Sequence, residues 1–213
     1  MATVKEVIEA CCHDPATYQS REHVLRVLHA LGYNGYAAEI GTFGGEFSER
    51  ILQRTMVRKL YCVDPYASYQ AYVDHTNGLD LEHVFGVASA RLAPYGDRVE
   101  ILRRYSTDVS AECANGSLDF CYIDGNHAYD YVLNDICHWF PKIKSGGLII
   151  GDDAVDPLND PGRRSDGNVE RAWDRNNPGD ISLYGVTKAF ADFAMSARLL
   201  PLVYGTQIFM IKP

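Results

Sequence analysis

The chain has 213 residues, a length that suits one α/β domain built around a single hydrophobic core. Its formal net charge is -8, whereas a nucleic-acid groove needs a basic field to displace counterions. The sequence has no apolar run long enough to cross a bilayer, and acidic residues stand where an export signal would be apolar. We therefore expect a cytoplasmic protein with neither a nucleic-acid nor a membrane partner.

The chain up to residue 150 predicts a helical segment followed by a sheet. Residues 1–35 are typical of one or two helices, which we expect to form an extension or lid. Brief apolar runs, rich in β-branched or aromatic residues, then predict five buried strands. These are Tyr36–Ile40, Lys59–Val63, Val99–Leu102, Leu118–Ile123 and Gly147–Ile150.

Helices are predicted between these strands. Glu46–Met56 and Tyr129–Phe140 each place apolar residues on one helical face. Pro141 ends the second helix, and Ser145-Gly146-Gly147 predicts the turn into the fifth strand. Strands that alternate with helices indicate parallel pairing, so we predict an α/β fold with a doubly wound sheet.

The last part of the chain departs from this alternation. Val186–Ala197 predicts a helix, and the strands predicted at Arg198–Tyr204 and Thr206–Ile211 are separated only by Gly205. So short a connection allows only an antiparallel hairpin. Residues 154–181 are polar and lack periodicity, which predicts a loop over the carboxyl edge of the sheet, where open α/β folds bind ligands.

A glycine-rich motif, Glu39-Ile40-Gly41-Thr42-Phe43-Gly44-Gly45-Glu46-Phe47-Ser48, joins the first strand to a helix. Such glycines allow a close approach of the backbone to a ligand, and Asp64 after the second strand can accept hydrogen bonds from a ribose. Glu39 would repel a pyrophosphate but suits the cationic aminoacyl group of S-adenosylmethionine. We predict that cofactor rather than a dinucleotide; a glycine turn without a ligand is the alternative.

Ser106 follows the third strand and is a candidate for contacting the adenine edge, with a helix N-cap as the alternative reading. The residues predicted to bind the cofactor are Glu39, Gly41, Gly45, Ser48, Asp64, Ser106 and Asp124.

Three aspartates predict a metal site. Asp124 follows the fourth strand, and Asp152 and Asp153 follow the fifth. Neighbouring parallel strands bring their carboxyl ends together, and carboxylates gathered there repel one another unless a cation lies between them. All-oxygen ligation suits Mg²⁺, with Mn²⁺ or Ca²⁺ as possible substitutes. Capping of helices or turns is the structural alternative.

His127 lies three residues after Asp124, at the start of a predicted helix. Its ordinary pKa of about 6.5 allows it to take a proton at neutral pH. Because it lies next to the predicted metal, we predict a general base, and His127 and Asp124 become the candidate catalytic residues. A purely structural histidine is the alternative.

The stretch from Phe120 to Asp153 contains Ile-Asp-Gly-Asn-His-Ala-Tyr, then Asp135, Trp139, Pro141, Gly146-Gly147 and Gly151-Asp152-Asp153. It resembles the class I methyltransferase family that includes the macrocin O-methyltransferases, and more distantly the catechol O-methyltransferases. Glu39-Ile40-Gly41 and Asp64 match the first two cofactor motifs of that superfamily, so the resemblance covers residues 36–153.

The resemblance implies a Rossmann-like, seven-stranded sheet, mostly parallel with a C-terminal antiparallel hairpin, in a methyltransferase domain over residues 36–213. It also implies S-adenosylmethionine over the first two strand ends, Mg²⁺ on Asp124, Asp152 and Asp153, and His127 as the base. Some relatives carry a second carboxylate at the position of Asn126.

We therefore predict a metal-dependent O-methyltransferase acting on a hydroxyl of a small molecule such as a sugar, a polyketide or a catechol, as in natural-product biosynthesis. A metal-dependent oxygenase or hydroxylase on the same fold is one alternative, although the chain lacks a 2-His-1-carboxylate set. The other is a non-catalytic module that binds S-adenosylmethionine, which the acidic triad argues against. Residues 1–35 could also pair subunits of a homo-oligomer.

Overall fold

The computed structural model describes residues 2–12, 21–68, 78–154 and 182–213. Seven strands form a single sheet. They are β1 (Tyr36–Ile40), β2 (Lys59–Val63), β3 (Val99–Leu102), β4 (Leu118–Ile123), β5 (Ile143–Gly151), β6 (Leu202–Tyr204) and β7 (Gln207–Ile211).

Seven α-helices accompany the sheet in the described part of the chain. They are α1 (Val4–Cys12), α2 (Glu22–Leu31), α3 (Glu46–Arg54), α4 (Leu81–Leu92), α5 (Ser106–Glu112), α6 (Tyr129–Trp139) and α7 (Ser182–Ala197). No helix among these residues is long and apolar enough to span a membrane.

The strand order is β3-β2-β1-β4-β5-β7-β6. The first five strands pair in parallel, whereas β7 pairs antiparallel with both β5 and β6. The predicted doubly wound, mostly parallel sheet with a C-terminal antiparallel hairpin is thus confirmed. The order reverses between β1 and β4, which opens a crevice at the carboxyl ends of the strands.

Each face of the sheet buries a separate apolar cluster, because successive side chains of a strand point to opposite faces. Ala38 and Cys121 belong to the cluster beneath α6 and α7, and Ala37 and Phe120 belong to the cluster beneath α1, α2 and α3. Ile8 of α1 contributes to the second cluster and is fully buried. The helices predicted before residue 36 therefore form part of the core on that face.

Two predicted boundaries were wrong: the strand predicted at Arg198–Tyr204 is confined to β6, Leu202–Tyr204, and the one predicted at Gly147–Ile150 belongs to a longer strand. Ser145-Gly146-Gly147 lies within β5, which begins at Ile143, and not in a turn before it. The pairing with β4 jumps from Leu118–Ile143 to Phe120–Leu148, so the extra residues bulge out of the ladder. Helix α4 was missed because it buries few side chains; Asp80 caps it by accepting from the His83 N–H at 3.1 Å. The loop predicted over residues 154–181 lies outside the described residues from 155 onward.

Candidate active site

A cavity of about 350 Å³ opens at the carboxyl ends of β1, β2 and β4, where the strand order reverses. Most of the residues predicted from the sequence line it: Glu39, Gly41, Asp64, Ser106, Asp124, His127 and Asp153. The other three, Gly45, Ser48 and Asp152, are not among the residues that line it. The strand topology therefore brings the predicted cofactor, base and metal residues to one crevice.

Glu39 is a buried carboxyl group at the end of β1, with only 1% of its surface exposed. The Ser48 hydroxyl donates a hydrogen bond to it from the first turns of α3. Burial, together with the negative charge of nearby Asp124, raises the pKa of Glu39 to about 8 despite that hydrogen bond. Glu39 is thus poised to ionise when a cation enters the cavity.

The two predicted glycines are required by the backbone. Gly41 has φ +91°, and a Cβ atom there would lie 2.1 Å from the Asp124 carbonyl oxygen. Any side chain at Gly41 would therefore push apart the tips of β1 and β4. Gly45 has φ +76° and caps the start of α3. These glycines shape the turn around the cavity, a packing role that the sequence did not reveal.

Asp64 is fixed at the tip of β2 by backbone groups of the loops after β1 and β2. The Phe43 N–H donates to its Oδ2 at 2.9 Å, and the Tyr66 N–H donates to its Oδ1 at 2.7 Å. The Tyr66 hydroxyl in turn donates to the Phe43 carbonyl at 2.9 Å. Phe43 and Tyr66 both have positive φ, an unfavourable conformation for non-glycine residues that is typical of functional loops.

Ser106 begins α5 and donates a hydrogen bond to Asp135 of α6. No side chain forms a capping hydrogen bond at the start of α5, so Ser106 does not act as an N-cap. Asp135 is buried and also lines the cavity, and burial raises its pKa to about 6 in spite of the Ser106 hydrogen bond. Only the family resemblance pointed to Asp135 in the sequence, because its hydrogen-bond partner, Ser106, lies on another helix.

Asp124 and Asp152 converge on a single cation, the side chain of Arg21. The Nη2 atom of Arg21 lies 2.8 Å from Asp124 Oδ2 and 2.5 Å from Asp152 Oδ2. The contact with Asp152 is an ion pair whose angles do not make a hydrogen bond. The expected meeting of the tips of β4 and β5 thus takes place, and Arg21 is a site residue that sequence reasoning missed.

The other oxygen of Asp152 is held from β7. Gln207 donates its side-chain N–H to Asp152 Oδ1, and the Tyr122 hydroxyl donates to Gln207 Oε1 at 3.1 Å. All three side chains are buried. This chain of hydrogen bonds fixes the carboxylate so that its Oδ2 faces Asp124.

His127 lies between two carboxylates. Its Nε2 is 3.5 Å from Asp124 Oδ1, and its Nδ1 is 3.6 Å from Asp153 Oδ2. Burial alone would lower the pKa of His127, but Asp124 and Asp153 outweigh it and raise that pKa. Asn126 uses its Oδ1 to accept from the Ala128 N–H at 2.9 Å.

Asp153 contacts His127, and its charge also acts on Arg21. Within the part of the chain that the structure describes, no three His, Cys, Asp or Glu side chains are arranged to hold a metal ion. Two of the three predicted ligands, Asp124 and Asp152, do share one cation position.

Residues 38–154 match the family described as "Methyltransferase domain", which covers more than half of the chain. The chain belongs to this family. The match spans the strands and loops that build the cavity, and it confirms the prediction of a class I methyltransferase. The narrower resemblance to the macrocin enzymes stays a prediction.

Solved structures share the fold of this methyltransferase. An O-methyltransferase of Bacillus cereus in complex with S-adenosylhomocysteine is 17% identical, with a TM-score of 0.57, and the match covers 98% of this chain and 90% of that one. TomG, an O-methyltransferase of Streptomyces achromogenes bound to S-adenosylmethionine, is 14% identical, with a TM-score of 0.55 and coverage of 98% and 90%.

The S-adenosylhomocysteine-bound methyltransferase PaMTH1 of Podospora anserina is 14% identical, with a TM-score of 0.60 and coverage of 99% and 87%. An uncharacterised protein of Acanthamoeba polyphaga mimivirus is 26% identical over 122 residues, which make up 55% of this chain. The methyltransferase spans about half the length of that curated relative, 51%.

The raised pKa of Glu39 gives a first prediction for the methyltransferase. In the unfolded chain its pKa is about 4.5, so between pH 4.5 and 8 the unfolded state releases the proton and the folded state keeps it. The contribution of Glu39 to the free energy of unfolding is therefore fully present below pH 4.5. It is lost as the pH rises toward 8. Glu39→Gln removes that loss and is expected to stabilise the ligand-free protein by roughly 2–4 kcal/mol near pH 8.

Thermal unfolding across pH tests this expectation. The melting temperature of the Glu39→Gln variant is expected to exceed that of the parent increasingly between pH 5 and 8. Glu112→Gln is the control, because Glu112 is exposed and Arg104 lowers its pKa. A Glu39→Gln variant less stable than the parent near pH 8 would contradict the buried, protonated state of Glu39.

Proposed function

We propose that this methyltransferase uses S-adenosylmethionine and a divalent cation to methylate a hydroxyl of a small-molecule acceptor. One observation carries the proposal. The cavity lined by Glu39 and Asp64 also contains His127 and Asp124, whose carboxylate shares a cation position with Asp152. A methyl donor and an acceptor hydroxyl can therefore meet beside a base and a cation site.

The residues present fit the cofactor. Glu39 offers a buried carboxylate to the ammonium of the donor, and Asp64 offers a fixed carboxylate to the two ribose hydroxyls. The paired side chains of Ser106 and Asp135 would face the adenine edge. Solved structures of the same fold that hold S-adenosylmethionine or S-adenosylhomocysteine support this assignment.

The donor atoms also fit a divalent cation. Asp124 and Asp152 place one oxygen each at a common cation position, and Asp153 is the next residue along the chain. Oxygen ligands of this kind suit Mg²⁺, with Mn²⁺ or Ca²⁺ as substitutes. A divalent ion bound there would lower the pKa of an acceptor hydroxyl.

His127 is the group placed to accept the acceptor's proton, and its two flanking carboxylates orient the ring. The proton passes from the acceptor hydroxyl to the imidazole. With S-adenosylmethionine bound, the oxygen would form a bond to the methyl carbon while the carbon–sulfur bond breaks, and the electron pair of that bond would stay on sulfur. The products are the methyl ether and S-adenosylhomocysteine, and the protein contributes mainly by aligning the two reactants.

The acceptor is proposed to carry a second oxygen next to the reacting hydroxyl, as vicinal diols, catechols and sugars do. Two neighbouring oxygens can bind a cation as a chelate, which places the reacting one near His127. The cytoplasmic location and the role in natural-product biosynthesis stay predictions.

Calorimetric titration with S-adenosylhomocysteine tests the cofactor site. Asp64→Asn is expected to weaken binding by about 10- to 100-fold, because hydrogen bonds to a carboxylate are lost. Asp97→Asn is the matched control, since Asp97 is exposed and lies outside the cavity. Equal affinities of the parent and the Asp64→Asn variant would contradict the proposed ribose contact.

Turnover with labelled S-adenosylmethionine and a panel of catechols and sugars tests the reaction itself. Transfer of the label to an acceptor oxygen is expected only with a divalent cation present. Metal-dependent oxygen uptake without methylated product would instead favour an oxygenase. Binding without product for every acceptor would favour a non-catalytic module.

A further inference from the structure

Arg21 is the feature of the site that the reaction described above does not use. Its Nη2 atom contacts Asp124 Oδ2 at 2.8 Å and Asp152 Oδ2 at 2.5 Å, so a single nitrogen serves both carboxylates. These are the two oxygens that the proposed divalent cation would need.

The backbone directly after Arg21 is anchored to a neighbouring helix. Arg21 immediately precedes α2, and the next residue, Glu22, forms ion pairs with Arg50 and Arg54 of α3. The Arg21 guanidinium also lies 5.4 Å from the centre of the Phe47 ring. His23, the residue after Glu22, is fully buried. Because the backbone after Arg21 is anchored, moving the guanidinium off the carboxylates requires a change in the Arg21 side chain itself.

A guanidinium and a metal ion cannot share these oxygens. Mg²⁺ binds carboxylate oxygens at about 2.0–2.1 Å, so an ion held by both oxygens would compete with Nη2 for the space between them. If both cations were present, they would also repel each other at close range. One must leave before the other binds.

We propose that Arg21 is the resident cation of this site and sets its affinity for divalent ions. It is a positioning residue: it holds Asp124 and Asp152 together against their mutual repulsion until a metal ion displaces it. The inference rests on the metal site of the proposed function. It adds that metal binding competes with an arginine of the chain itself and moves that side chain.

Titration with Mn²⁺, followed through the electron paramagnetic resonance signal of the unbound ion, tests the proposal without measuring turnover. Arg21→Gln removes the competing cation and is expected to tighten Mn²⁺ binding by about 10- to 100-fold. Arg104→Gln is the matched control, because Arg104 pairs with exposed Glu112 and contacts neither the Arg21 anchor nor Asp124 or Asp152. Its Mn²⁺ affinity is expected to equal that of the parent.

Arginine modification provides a second measurement on the unaltered protein. Phenylglyoxal reacts with accessible guanidinium groups, and peptide mass spectrometry gives the rate at each arginine. Saturating Mn²⁺ is expected to accelerate modification of Arg21 and to leave that of Arg104 unchanged. An unchanged Arg21 rate with Mn²⁺ bound would overturn the proposal even if the Arg21→Gln variant failed to fold.

The outcomes separate this inference from the proposed function. If the parent binds Mn²⁺ and Arg21→Gln binds it equally well or more weakly, the role of Arg21 is wrong and the metal site stands. If neither binds Mn²⁺ while both bind S-adenosylhomocysteine, the inference and the metal site both fall and the cofactor site stands.

Discussion

Replacing Asp152 with asparagine is expected to lower metal-dependent methyl transfer by about 10²- to 10³-fold, while S-adenosylhomocysteine still binds. Asparagine keeps the shape of the side chain, and its oxygen can still accept from Gln207. It removes the charge that, with Asp124, creates the cation position. Initial rates at saturating Mg²⁺ and calorimetry with S-adenosylhomocysteine measure the two effects.

Asp119→Asn is the matched control for this variant. Asp119 is also a buried aspartate, but it lies near the start of β4, where it accepts a hydrogen bond from the Gly35 N–H and pairs with Lys144. Its replacement is expected to lower stability and to leave the rate per folded molecule unchanged. Full activity of the Asp152→Asn variant, or of the parent in excess chelator, would contradict the metal-dependent mechanism.

His127→Gln is expected to reduce kcat by about 10²- to 10⁴-fold, the usual contribution of a general base. A base works in its neutral form, and Asp124 and Asp153 raise the pKa of His127 above 6.5. The rate of the parent should therefore fall as the pH drops through that pKa and should level off above it. The residual rate of the variant should lose this dependence.

The pH–rate profile of kcat measures this effect. His29→Gln is the control, because exposed His29 lies in the last turn of α2 with its Nδ1 against the Arg54 carbonyl and does not line the cavity. It should leave both kcat and its pH dependence unchanged. A His127→Gln variant with the parent's profile would show that another group takes the proton.

The sequence predicted the sheet well because its signals are local. Buried parallel strands are short apolar runs, and Leu118–Ile123 is buried at every position, which makes it visible without any knowledge of its neighbours. The hairpin of β6 and β7 followed from a connection too short for any other arrangement. Helix α4 escaped detection because only Ala88 and Leu92 of it are buried, which leaves no clear apolar face.

The site was predictable wherever a residue's role follows from its place at a strand tip. Asp124 and Asp152 were expected to meet because β4 and β5 are parallel neighbours, and their oxygens do share a cation. Arg21 and Gln207 could not be found this way. They reach Asp152 from the N-cap of α2 and from β7, far along the chain, and no local pattern marks such a contact.

Gly41 illustrates a different limit of the sequence. Its motif indicated a ligand close to the backbone, but the atom that would collide with a side chain is the carbonyl oxygen of Asp124. A glycine required by packing between two strand tips and one required by a ligand look alike in the sequence. Only the position of the neighbouring strand separates the two.

The central claim is tested most directly by a crystal structure of the protein with S-adenosylhomocysteine and Mn²⁺. Anomalous data collected at the manganese edge would locate the metal ion. We expect the ribose hydroxyls on Asp64, the amino group beside Glu39 and an anomalous peak between Asp124 and Asp152, with the Arg21 guanidinium displaced. S-adenosylhomocysteine bound elsewhere, or no manganese peak while Arg21 stays on both carboxylates, would contradict it.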